Sequence, residues 1–130
     1  MLHSTEFYTE LGNLFYAIAA ADRKIRPEEK KILHDEVQYG WKHFESSTDR
    51  FGSDRAYVIE YEFDTLEDMD ENAGIAFESF VKYFEDNPAY FDDHTRKRIF
   101  NSARHIAESA RKINASELDL LVRLKKLLAV

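Results

Sequence analysis

The chain of 130 residues has no cysteine, four glycines and two prolines, and no apolar run in it approaches the ~20 residues that a membrane-crossing helix needs. Each scarcity removes a class. Without cysteine there is no disulfide framework, no thiolate zinc site and no thiol nucleophile. So little glycine and proline excludes collagen-like and low-complexity architectures, and the eighteen aromatic side chains offer a core that disordered chains lack. Glycines at 12, 40, 52 and 74 are too scattered for a phosphate-cradling loop, and neither G-x-S-x-G nor HExxH occurs. The opening Met1-Leu2-His3-Ser4-Thr5-Glu6 has neither the basic nor the apolar region of a signal peptide, which gives the expectation of a soluble, cytoplasmic protein. A chain of this size should bury roughly two thirds of its unfolded surface, so residues 1–130 are read as one domain.

What is present is charge, unevenly placed. Residues 1–44 carry a net −1, residues 45–93 a net −12 and residues 94–130 a net +6, within an overall −7. An acidic middle argues against a nucleic-acid backbone as partner, because phosphate contacts require basic side chains that release counterions. The simplest physical reading of this polarity is that the oppositely charged segments pack near each other or face water.

Apolar spacing predicts helices almost throughout. Leu11, Leu14, Phe15 and Ile18 mark one face of a helix over 5–21, with Ser4 or Thr5 as its cap. Pro27 suits the first position of a second helix, where its missing N–H costs nothing, and Ile32, Leu33, Val37, Trp41 and Phe44 continue it. Residues 46–54 concentrate Ser, Thr, Asp and Gly and read as a break. Residues 57–63 alternate like a strand, but no second strand exists to pair with it, which favours helix. Thr65 is expected to start the next helix, with Phe77, Phe80, Val81 and Phe84 as its inner stripe. Asn87-Pro88 breaks the chain, Asp92 or Asp93 caps a helix whose inner face is Ile99, Ala103, Ile106, Ala107 and Ala110, and Asn114-Ala115-Ser116-Glu117 is a capping box opening a helix to about Leu128.

One internal repeat stands out, at an offset of 88 residues. Ile18-Ala19-Ala20-Ala21-Asp22-Arg23-Lys24-Ile25-Arg26-Pro27-Glu28-Glu29 aligns with Ile106-Ala107-Glu108-Ser109-Ala110-Arg111-Lys112-Ile113-Asn114-Ala115-Ser116-Glu117, six of the twelve being identical. Each copy reads as a helix, a basic turn with a central isoleucine and a helix with glutamate in its first turn. There the helix dipole and unpaired N–H groups favour a negative charge. The expectation is two alike helical hairpins, each isoleucine buried between its antiparallel helices.

The segment Ala17–Leu33, with Asp22-Arg23-Lys24-Ile25 followed by Pro27-Glu28-Glu29, resembles the first signature of the TerB-like family, the tellurite-resistance TerB proteins and a related domain of DnaJ-type membrane co-chaperones. Residues 106–121 resemble its second signature. The resemblance implies an all-α domain of two pseudo-symmetric hairpins and a non-catalytic binding or regulatory module, with a protein partner and a role in stress response. It also implies a divalent-metal site for Ca²⁺ or Mg²⁺, carried over to Asp22, Glu29 and Glu117. Arg23 replaces the family's glycine, and Ala110 stands where a fourth carboxylate would be. A hard cation wants six to eight oxygens, so carbonyls and water would supply the balance. Without metal, the same glutamates are simply helix-capping residues.

Other constellations are thinner. Asp68-Met69-Asp70-Glu71-Asn72 begins like a calcium loop, but Ala73 and Ser79 occupy the positions of its glycine and bidentate glutamate. Histidines 3, 34, 43, 94 and 105 have no zinc spacing, and Glu36 and His43 read as a surface pair. The alternative to a binding module is a helical enzyme using carboxylates of the acidic segment 60–71, for which the sequence nominates no acid/base pair.

Overall fold

The structure, a computed structural model, describes residues 4–44, 55–109 and 113–130. Among the described residues all regular structure is helical: α1 (Thr5–Ala19), α2 (Pro27–Tyr39), α3 (Tyr57–Met69), α4 (Ala73–Asp86), α5 (Asp93–Glu108) and α6 (Ala115–Leu128), with short 3₁₀ turns at Trp41–His43 and Pro88–Tyr90. The Ser/Thr/Asp/Gly break expected at 46–54 lies outside the described residues, as does Ala110.

α1 is buried on nearly every side, not on the single face that its spacing suggested. Phe7, Tyr8, Leu11, Leu14, Phe15, Ala17 and Ile18 are all inaccessible to solvent, because α3, α4, α5 and α6 surround it. Two of its polar side chains are satisfied internally. Glu10 accepts hydrogen bonds from Asn13 Nδ2 at 2.9 Å and from the Ser79 hydroxyl of α4. Gly12 lets α3 come close, since a Cβ there would lie 2.8 Å from the Ile59 carbonyl oxygen.

α2 buries little beyond Leu33, Val37 and Glu29, and it lies against α5 and α3. It stops at Tyr39, earlier than Phe44 had implied; Trp41 follows in the 3₁₀ turn and carries the apolar face onward. The Trp41 indole N–H donates to Ser102 Oγ at 3.0 Å, Ser102 donates to Glu36 Oε1, and His105 Nδ1 lies 3.2 Å from Glu36 Oε2. Glu36 therefore bonds to α5 and not to His43. The thread leaves no polar group of Trp41 or Ser102 unmade in the interior.

Residues 57–63 are helical, the state that the lack of a pairing partner favoured over a strand. The next boundary falls at 70–72 and not at 64–65: Asp70 takes the left-handed conformation (φ 52°) that ends α3, and Asn72 Oδ1 caps α4 by accepting Ile75 N–H at 3.1 Å. Thr65 sits inside α3, its hydroxyl bonded to the Tyr61 carbonyl at 2.9 Å. Asp68 is thus helical and Asn72 a cap, so no calcium loop forms. Asp92 caps α5 and Asn114 caps α6, each accepting an N–H three residues on.

The two segments of the internal repeat differ in packing. α5 and α6 pack against each other, whereas the backbones of α1 and α2 hardly approach. Ile25 and Ile113 touch the core yet stay half-buried, short of the full burial that a plug between two packed helices implies.

Candidate functional site

Where the two repeats meet is at the N-termini of α2 and α6. Pro27 and Asn114 open these helices, and in each the third helical residue is a glutamate reaching back to the cap. Glu29 Oε1 accepts the Arg26 N–H at 2.8 Å, and Glu117 Oε1 accepts the Asn114 N–H at 3.2 Å. Asn114 returns the bond through Oδ1 to the Glu117 N–H at 2.8 Å; a guanidinium has no acceptor, so at α2 the Glu29 N–H is taken by the Arg26 carbonyl at 3.0 Å instead.

Both glutamates are 0% exposed. Their second oxygens, Glu29 Oε2 and Glu117 Oε2, are buried with no donor among the described residues, while the two side chains lie within hydrogen-bonding reach of each other. Two carboxylates cannot bond one another. One carboxyl that keeps its proton satisfies both oxygens, as in other paired acids. Burial, and then the hydrogen bond with Glu117, pushes Glu29 up to about 8, against the opposing pull of the Arg26 N–H.

Asp22 completes the junction by different means. Its Oδ2 accepts from Arg26 Nη2 and from Asn114 Nδ2, both at 2.9 Å, and its Oδ1 accepts the Lys24 N–H at 3.1 Å. The side chain thereby ties the α1–α2 turn to the cap of α6. Arg26 also lies 3.9 Å from Glu29 Oε1, and it is held in its charged form by the Asp22 hydrogen bond first and then by that carboxylate's charge. Arg23 stands in the left-handed region (φ 66°), so the turn keeps the shape a glycine would give it, at a cost of about 1 kcal/mol.

Of the three ligands that the sequence nominated, Glu29 and Glu117 come together and Asp22 faces Arg26 and Asn114. Among the described residues no three Asp, Glu or His side chains converge in a ready-made metal geometry. The part of Arg26 was legible only as a weak signal, an acid and a base four residues apart across the turn.

The acidic segment borders a separate cleft of about 670 Å³ between the end of α1, the end of α3 and the start of α4, lined by Tyr16, Ile25, Glu67, Asp70, Glu71 and Asn72. Two of its acids are engaged: Lys30 Nζ donates to Glu67 at 2.8 Å and the Asn72 N–H donates to Glu71 Oε1 at 2.8 Å, while the Tyr16 hydroxyl donates to the Glu71 backbone carbonyl at 2.8 Å. Burial pushes Glu62 up, helped by the charge of Glu10, but Glu62 sits beside Gly12 against α1. Among the described residues no helix is long and apolar enough to cross a membrane. Comparison with protein-family models, with curated proteins and with solved structures gives no match.

Proposed function

We propose that the chain is a TerB-like, non-catalytic binding or regulatory module of the cytoplasm that works with a protein partner in a stress response of the tellurite type. In this reading its two repeated turns form a divalent-cation site at Glu29, Glu117 and Asp22. The observation that carries the cation reading is the pair of buried carboxyl oxygens, Glu29 Oε2 and Glu117 Oε2, which have no donor among the described residues beyond the proton the two acids share. A hard cation such as Ca²⁺ or Mg²⁺ suits such oxygens, with water and carbonyls completing its shell. Binding would replace the shared proton by the ion, joining the N-termini of α2 and α6 more firmly. The pseudo-symmetry that matters for this role lies in the two glutamates and their caps.

The test is thermal unfolding with Ca²⁺ or Mg²⁺ at millimolar concentration. A ligand that binds only the folded chain stabilises it by mass action, so the melting temperature should rise for the wild type and not for Glu29→Gln or Glu117→Gln. A wild type indifferent to both ions sinks the cation reading.

A second reading, a helical enzyme using carboxylates of residues 60–71, rests on the cleft beside Glu67, Asp70 and Glu71. Against it stands the engagement of Glu67 by Lys30 and of Glu71 by Asn72, which ties up two of the three acids lining the cleft.

A further inference from the structure

We propose that Arg26 is a built-in counter-cation that competes with a divalent ion for the Asp22–Glu29–Glu117 cluster, so that an ion enters only as Arg26 releases Asp22. The inference rests on the cation reading of that cluster and goes beyond it by naming the group that sets its affinity.

Ser, Thr, Asp and Asn are favoured at a helix cap because their oxygens accept the orphan N–H groups of the first turn; arginine has no acceptor and caps nothing. Arg26 is therefore in the cap of α2 without doing a cap's work, in contrast to Asn114 at the corresponding position of α6. Its guanidinium is instead turned back across the turn onto Asp22 Oδ2 at 2.9 Å and stands 3.9 Å from Glu29 Oε1. It is also near enough to Glu117 for that carboxylate to favour its charge. One positive charge thus stands beside all three acid side chains that a metal would use.

While Arg26 holds Asp22, the three acids do not converge, in keeping with the absence of a ready-made metal geometry among the described residues. A divalent ion entering beside the guanidinium also meets a like charge at close range, where Coulomb repulsion is strong and little screened. The Arg26 side chain is about one third exposed, so it has solvent to swing into when it lets go. Asp22 has a second tether in Asn114 Nδ2, which keeps the carboxylate at the junction after Arg26 has left.

The experiment compares Arg26→Ser with wild type and with Lys24→Ser by calorimetric titration of Mg²⁺ and Ca²⁺ at constant ionic strength, each with melting curves. Serine is a good cap and should keep the fold; Arg26→Gln, which removes the charge and retains much of the length, serves if the serine variant does not fold. Lys24→Ser removes an exposed positive charge two residues away and leaves the Lys24 backbone bond to Asp22 in place, so it measures the general effect of charge. The expected result is binding about tenfold tighter or more in Arg26→Ser, the size of one close charge contact, with a clearly smaller gain in Lys24→Ser. Adding Asp22→Asn to Arg26→Ser should abolish the gain. Equal affinity in wild type and Arg26→Ser, an equal gain in Lys24→Ser, or a gain that survives Asp22→Asn would each overturn the role of Arg26 while leaving a cation site standing. Binding by neither wild type nor the Arg26 variants would overturn both readings together.

Discussion

The N-terminus of α2 and the N-terminus of α6 present the same glutamate behind different caps, and the difference separates what a helix start needs from what this junction adds. At α6, Asn114 and Glu117 exchange two hydrogen bonds, and the Asn114 side chain still has its Nδ2 donor to give to Asp22. At α2, Arg26 gives up the reciprocal bond, and its charge serves Asp22 and Glu29 instead. Capping alone would not bury two glutamates against each other, because a capping glutamate works equally well at the surface. Their burial, with one proton for two carboxyls, is a property of the junction between the repeats. The surroundings differ in the same sense: α5 and α6 pack side by side, whereas α2 leaves α1 and lies on α5 and α3.

The largest expected effect concerns that proton. An unfolded glutamate titrates near 4.5, whereas Glu29 in the folded chain is pushed up to about 8. Between those values the folded chain holds more protons than the unfolded one, so stability falls as pH rises. The slope for one proton is at most about 1.4 kcal/mol per pH unit, and the loss is complete above pH 8. Below the unfolded value both states are protonated and the slope vanishes. Chemical denaturation from pH 4 to 9 should show this decline. Glu29→Gln, neutral throughout and able to donate to Glu117 Oε2, should flatten it and exceed the wild type at the alkaline end. A flat wild-type curve would show that the two helix starts share no proton.

Next comes the cap itself. Asn114→Ala removes the bond to the Glu117 N–H and the tie to Asp22, and should cost about 2 kcal/mol in a denaturant titration. Arg26→Ala, which removes no cap bond, should cost clearly less. Equal losses would erase the distinction between the caps of α2 and α6.

The isoleucines sharpen the comparison at a smaller scale. Because Ile25 and Ile113 are only half-buried, Ile25→Ala and Ile113→Ala should each cost about 1–2 kcal/mol, below the range of fully buried sites. A loss of about 4 kcal/mol at either would mean that it plugs its turn after all. Smallest is Arg23→Gly, which relieves a left-handed arginine and at the same time raises the entropy of the unfolded chain. A gain of no more than about 1 kcal/mol is expected, and a loss would place Arg23 in contacts worth more than its strain.

Much of the fold was legible because its signals are local. Asn114 caps α6 where its spacing to Glu117 says, Ser4 and Asp92 are each one of the two neighbouring cap candidates, Pro27 starts α2, and α6 ends at Leu128. The boundary between α3 and α4 was missed because Asp70 to Asn72 contains no glycine or proline; it depends on Asp70 tolerating a left-handed backbone, which several neighbouring acids could equally have done. The burial of α1 on all sides could not be read from a pattern that already placed Leu11, Leu14, Phe15 and Ile18 on one face, since the polar neighbours Glu10 and Asn13 are satisfied by each other and by Ser79.

The sequence by itself determined the predominantly helical character that the described residues show, the helix starts at Pro27 and Asn114, and the equivalence of Glu29 and Glu117 within a twelve-residue repeat, because hydrophobic period, caps and self-similarity depend on residues a few positions apart. Only the tertiary structure decided that these two glutamates meet, that neither second oxygen finds another donor among the described residues, and that Asp22 is claimed by Arg26 and Asn114. The physical reason is distance along the chain. A carboxyl's protonation and a guanidinium's choice of partner are set by charges and solvent within a few ångströms, and for residues 88 and 92 positions apart those neighbours are supplied by the packing of α1, α3 and α5 between them.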